Sequence, residues 1–226
     1  MDLLNQLTEH LDKSFEKPDD SVFHHTEFCC LQKIVESKYL ELHAHSYLNE
    51  KGNNEGITGI EIINNLLDRY SDFYREKEIF SKFITDKVVT FYTVSFCNEK
   101  MSSYVLKEYG NYYLELESDF LQAFANINRP SLLFGSVDYE KNSQEKIISG
   151  MLEIYQQFEF SKDNICILLT NLCIAIPLFK NNSYSREKEC RVIGTQKCLD
   201  RLSLNKDKTK IYKGTKMIDW HNIDLL

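Results

Sequence analysis

The sequence predicts an α+β fold, a mixed or antiparallel sheet with helices packed on it. Three observations predict it. Stretches rich in β-branched and aromatic residues, such as residues 88–97, read as strands. Ile60, Ile63, Leu66, Leu67, Tyr70 and Phe73 recur at helical spacing. The two kinds of stretch do not alternate regularly, which argues against a doubly wound parallel sheet. With 226 residues, 42% hydrophobic, and three prolines, the chain can bury a sizeable core and is not extensively disordered. Residues 1–20 are expected to form an N-terminal helix, and residues 21–226 a single domain.

In order, residues 2–14 read as a helix with Leu3, Leu4, Leu7 and Leu11 on one side, ended by Lys17-Pro18-Asp19-Asp20. Residues 22–24 are extended. Thr26 is placed to cap the next helix, with Glu27 in its positive first turn and Phe28, Leu31, Ile34 and Val35 on its apolar face. Residues 39–44 alternate as a strand does, and residues 49–56 carry turn chemistry. A long helix is expected from Gly59 to about Phe80. Strands follow at 88–97 and 112–117. Ser118 caps a short helix ending near 127, then come a strand at 131–139 and a helix at 140–158. Residues 163–176 form a helix apolar nearly all round, hence buried, and stopped by Pro177. The last extended piece lies around 210–220.

The formal net charge of −7 makes general nucleic-acid binding unfavourable. Residues 197–216 run against that balance, with seven Lys or Arg against Asp200 and Asp207. They are either a solvated face or a surface for a phosphate backbone. Seven cysteines with no C-x-x-C spacing signal neither a zinc knuckle nor a disulfide framework. Several read as small core residues, including the adjacent Cys29 and Cys30, and a reducing, cytoplasmic setting is expected. Residues 1–15 hold no apolar signal region, and the apolar run 165–179 is too short to span a bilayer, so no membrane association is expected. His43 and His45 have zinc-compatible spacing but no supporting third ligand, so no metal is expected. Neither a P-loop nor a G-x-G-x-x-G fingerprint occurs.

Chemistry concentrates at Tyr184-Ser185-Arg186-Glu187-Lys188-Glu189-Cys190-Arg191-Val192-Ile193. In a strand, Glu187, Glu189 and Arg191 share one face, the two carboxylates about 7 Å apart. Such a face can hold a sugar hydroxyl and a developing positive charge. It is equally a charged edge with a Glu–Arg ladder.

Four patterns occur in order: Phe23-His24-His25-Thr26; Asn49-Glu50 with Glu55; Val94-Ser95-Phe96-Cys97 with Tyr109-Gly110 and Tyr113-Leu114-Glu115-Leu116; and Lys180, Tyr184, Glu187, Glu189 and Arg191. Together they resemble the bacterial domain-of-unknown-function (DUF) family 2971, over roughly residues 22–195. Members typically show H-Y-T, N-D-x-x-E, C/S-F-S, W-x-x-Y-G with G-x-x-x-E-F, then K and W-x-x-E-x-E-W-R. This chain departs from that pattern: His25 stands for Tyr, Glu50 for Asp, and Leu106, Tyr184 and Cys190 for Trp. Four residues rather than two precede Glu55. The layout is more remotely similar to ADP-ribosyltransferases.

That resemblance implies an ADP-ribosyltransferase-like fold and NAD as substrate. Glu189 would stabilise the oxocarbenium-like centre formed when the nicotinamide–ribose bond breaks. Glu187 would orient or deprotonate the acceptor. His24 would hydrogen-bond a ribose hydroxyl, Thr26 would meet the pyrophosphate, and Asn49 would shape the rim. Ser95 would brace the carboxylate, Tyr109 or Tyr184 would stack on nicotinamide, and Arg191 would pair with phosphate or with Glu189. Each also has a plain structural role: a core histidine, a helix cap, a turn residue, packing rings. The implied protein is a bacterial toxin or defence effector that modifies a protein or nucleic acid and has an antitoxin or immunity partner. A non-catalytic binding module of the same fold and an NAD or nucleotide hydrolase remain open alternatives.

Overall fold

A computed structural model describes residues 2–18, 20–45, 57–86, 91–100, 110–128, 131–194 and 201–220. In chain order its elements are α1 (Leu3–Ser14), β1 (Ser21–Thr26), α2 (Phe28–Ser37), β2 (Tyr39–Glu41), β3 (His43–His45), α3 (Ile57–Arg69), α4 (Tyr74–Thr85), β4 (Phe91–Cys97) and β5 (Tyr112–Glu117). Then come α5 (Ser118–Ile127), β6 (Leu132–Ser136), α6 (Lys141–Tyr155), α7 (Lys162–Ala175), β7 (Glu189–Gly194), β8 (Arg201–Ser203), β9 (Thr209–Lys213) and β10 (Lys216–Ile218). The fold is α+β with an antiparallel sheet core. The chain divides into two compact units, each assembled from three separate segments.

The helical unit comprises Met1–Glu16, Ala44–Phe91 and Val137–Ser185. In α1, Leu3, Leu7 and Leu11 fall on one stripe and are buried, and the Asp2 carboxylate caps the first turn by accepting from the Asn5 amide at 2.9 Å. Helix α1 packs on α6 and α7, and α3 packs on α6. Ser161 caps α7, accepting from Asn164 N at 3.1 Å. Pro177, in the 3₁₀ turn Ile176–Leu178, follows its last residue as expected. The single helix expected from Gly59 to Phe80 is instead two. Tyr70 is extended (φ −103°, ψ 101°), and a 3₁₀ turn, Ser71–Phe73, separates α3 from α4. The break lets Phe73 and Phe80 both bury fully. Tyr155 donates to the buried Glu76 Oε1 at 2.9 Å.

The sheet unit comprises Lys17–His43, Tyr92–Ser136 and Arg186–Leu226. Its strand order is β10-β9-β5-β1-β4-β7-β6, with antiparallel neighbours throughout. Val22, Leu114, Leu116, Val94, Phe96, Cys190 and Val192 project from one face into a core shared with Leu31 of α2 and Leu121 and Ala125 of α5. A separate pair, β2 and β8, adds Leu40 and Leu202 to that core. The alternating stretch 39–44 is thus two short strands rather than one. The strand expected to begin near Tyr184 begins at Glu189. Asn182–Glu187 is a 3₁₀ helix, and Lys188 turns the chain with a left-handed φ of 44°. Thr26 ends β1 and is buried; Glu27 occupies the cap of α2 without a side-chain bond. Ser118 is the first residue of α5, with Glu117 at its cap.

Gly110 sits against the end of β1. Its φ is +97°, and a Cβ there would lie 2.9 Å from the Thr26 carbonyl oxygen. Gly110→Ala is therefore expected to cost about 1–3 kcal/mol, measured by urea unfolding, because it combines a left-handed backbone with a backbone clash. No described helix is long and apolar enough to cross a membrane.

Candidate functional site

Strand register arranges the sheet face away from the core into rows. Tyr212 of β9 lies opposite Tyr113 of β5, and Tyr113 opposite His25 of β1. Phe23 lies opposite Cys97; extending that antiparallel register by two residues would set His25 level with Ser95 of β4. Ser95 pairs with Arg191 of β7, and Arg191 with Gly135 of β6. One row thus reads Tyr212, Tyr113, His25, Ser95, Arg191, Gly135. The adjacent row reads Lys210, Glu115, Phe23, Cys97, Glu189. Direct neighbours have Cβ atoms about 5 Å apart. His25 and Glu189, two strands and two residues apart, are separated by about 12 Å.

Glu189 and Arg191 are buried, at 6% and 3% exposure. Arg191 grips the carboxylate with both prongs: Nε donates to Oε1 at 2.6 Å and Nη2 to Oε2 at 3.0 Å. Ser95, beside this pair, is exposed. Gly135 presents no side chain over the same row. Glu187 is buried at the end of its 3₁₀ helix, but the turn at Lys188 breaks the strand alternation that was to align it with Glu189.

His25 is 9% exposed and stands 5.2 Å from the Tyr113 ring, which stacks on Tyr212 at 4.9 Å. Among the described residues, neither ring nitrogen of His25 meets a partner in hydrogen-bonding geometry. Burial lowers its pKa to about 4 against a partial upward pull from the Glu99 and Gly110 backbone, so the imidazole is neutral at pH 7. Unfolded, it titrates near its ordinary value. Between about pH 6.5 and 4 the unfolded chain therefore binds more protons, and stability falls as pH falls through that window. His24, also lowered by burial, adds to the same slope. Urea midpoints measured across that window should fall less steeply for His25→Phe than for the wild type.

His24 points the other way. It lies opposite Leu114, and its ring is 5.9 Å from Phe96, both core residues. Nδ1–H donates to the Ser95 carbonyl oxygen at 3.0 Å, which leaves Nε2 as the acceptor. Burial lowers its pKa, and His43 adds to that. His24 and Thr26 line a cavity of about 370 Å³ with Cys30, Lys33, Ser37, Glu41 and His43. The structure therefore does not bring His24 to Glu189. Neighbouring residues of a strand face opposite sides, and the parity of β1 gives His25, not His24, to the carboxylate face.

The remaining expected residues fall apart from this group. Tyr184 belongs to the helical unit, 40% exposed, with Lys180 Nζ 5.7 Å from its ring centroid. Together they line a second, polar cavity with Thr58, Glu61, Asn181 and Ser183. Asn49 and Tyr109 lie outside the described residues. Cys29 and Cys30, expected in a core, are exposed on α2 with sulfurs 3.9 Å apart, because the buried stripe of that helix runs through Leu31. Among the described residues, no three His, Cys, Asp or Glu side chains converge as a metal site. Sequence reasoning missed His25, Tyr113, Tyr212 and Gly135 as neighbours of the carboxylate; only strand register reveals them.

No protein-family model, no curated protein and no solved structure matches the chain. What the fold defines is a class, an α+β protein built on an antiparallel sheet.

Proposed function

We propose that the protein is an ADP-ribosyltransferase-like enzyme that uses NAD, working on the sheet face of Glu189 rather than at His24. One observation carries the reading. An early imidazole (His25), a middle hydroxyl (Ser95) and a late carboxylate with its arginine (Glu189, Arg191) lie on one face of three adjacent strands. This is the order of roles that the resemblance to DUF family 2971 and to ADP-ribosyltransferases implies, with His25 taking the part first given to His24. In this reading the bond between the ribose C1′ and the nicotinamide nitrogen breaks, and nicotinamide leaves with the electron pair. Glu189 stabilises the cationic ribose, an effect worth most in a dry site. Neutral His25 accepts a hydrogen bond from a ribose hydroxyl, and Ser95 lies between them. The acceptor nucleophile bonds to C1′ and releases its proton to water, since the turn at Lys188 takes Glu187 out of line with Glu189.

The second reading, a non-catalytic binding module of the same fold, is favoured by the Glu189–Arg191 fork, which engages both carboxylate oxygens. Incubation with labelled NAD and cell lysate separates the readings. Label transferred to macromolecules by the wild type and lost in Glu189→Gln supports the transferase. Free ADP-ribose without transfer indicates hydrolysis. Unchanged NAD overturns the enzymatic proposal in favour of the binding module. If the transferase acts as a toxin, its expression should arrest growth, and Glu189→Gln should relieve the arrest.

A further inference from the structure

We propose that the β9–β10 edge of the sheet unit is a docking surface for single-stranded nucleic acid. Within the acidic chain, residues 201–220 carry six Lys or Arg against two Asp. Their arrangement matters more than their number. Lys213 and Lys216 lie directly opposite each other across the hairpin, whose turn is made by Gly214 at φ +57°. Like charges so placed repel. Neither lysine has an ion-pair partner among the described residues. By contrast, Lys208 pairs with Glu117 at 2.6 Å and Lys210 with Glu115 at 3.5 Å. An uncompensated pair of ammonium groups at fixed spacing calls for an anion between them.

Aromatic rings supply the second half of the argument. In the same row, Tyr112 lies opposite Lys213, whose Nζ is 5.4 Å from the ring centroid, and Phe28 lies 5.3 Å from Tyr112. Both rings are half-buried. In the turn before β9, Lys206 sits 5.8 Å over Trp220, whose indole N–H is anchored to the Thr209 carbonyl oxygen at 3.1 Å. Thr209 and Lys213 are about 13 Å apart along the strand. Two cation–ring pairs, one toward each end of β9, suit a polyanion that carries flat bases at intervals. Phosphates meet the lysines, and unstacked bases meet the rings. A duplex keeps its bases stacked inside and cannot use the rings, so single strands are the favoured occupant.

The proposal is independent of NAD chemistry, so the test omits NAD. Fluorescence polarisation of a labelled twelve-nucleotide single strand, RNA or DNA, at low salt should show binding by the wild type. Lys213→Glu/Lys216→Glu should weaken it at least tenfold, and the dependence of log K on log salt should flatten by about 1.4, two lysines at about 0.7 each. Tyr112→Ala should weaken it about fivefold to a hundredfold. Lys208→Glu, at an already neutralised position, should change it less than twofold. Absence of wild-type binding overturns the proposal. So does an equal loss from Lys208→Glu, or equally tight binding of duplex or heparin that ignores Tyr112→Ala, which would mark a generic polyanion surface. Circular dichroism checks that the variants stay folded, above all Tyr112→Ala, whose ring is half-buried against the core.

Discussion

Arg191→Met is expected to destabilise the protein by about 3–5 kcal/mol. The side chains of Arg191 and Glu189 are 3% and 7% exposed, and two short bonds join them. Removing the guanidinium takes two charge-assisted bonds from a carboxylate that water barely reaches. Against a total stability of about 5–15 kcal/mol, such a loss is large. Urea unfolding followed by circular dichroism reads it directly. Glu189→Leu/Arg191→Met should recover a large part of the loss, because an apolar pair of similar volume avoids the desolvation that the ions incur. A cost below about 1 kcal/mol for Arg191→Met would place the pair among weak, solvated ion pairs. It would remove the premise of a dry carboxylate on which the proposed chemistry depends.

Turnover of NAD should fall about 100- to 1000-fold in Glu189→Gln, the magnitude typical of a lost transition-state electrostatic contact. The sharper contrast is between adjacent histidines. His25→Phe should lower turnover strongly, whereas His24→Phe, on the opposite face beside Leu114 and Phe96, should leave it within a few fold. Ser95→Ala, at an exposed position, tests the same face with little risk to folding. Nicotinamide release under single-turnover conditions, with a thermal melt of each variant, separates lost chemistry from lost structure. If His24→Phe abolishes turnover and His25→Phe does not, the reaction belongs to the cavity beside α2, and the assignment of the Glu189 face is wrong.

The contrast also shows where sequence reasoning works and where it stops. Helices α1 and α7 were legible because a leucine stripe and a terminal proline are local signals. Strand β5 was legible because Leu114-Glu115-Leu116-Glu117 alternates apolar with charged residues. The facing of β1 was not. Val22 and Phe23 are both apolar, and His24 and His25 are both imidazoles, so period 2 offers no parity. Only pairing with Leu114 and Tyr113, ninety residues away, fixes it. The strand before Glu189 was over-extended for a related reason: alternating charges read as a ladder, while the left-handed turn at Lys188 leaves no mark in composition. The break at Tyr70 was hidden because its flanks keep one helical period.

Neither compact unit is continuous in the chain. Each gathers three stretches separated by parts of the other. During synthesis, the central strand β1 emerges early, while β9, which completes the sheet beside β5, emerges after almost all the rest. All three stretches of the helical unit precede Arg186, whereas the sheet unit still lacks β7 and β9 at that point, so long loops must be drawn together before the sheet interior can seal. The sheet half is therefore the later of the two to close, and no single proteolytic cut can release either half as an intact fragment.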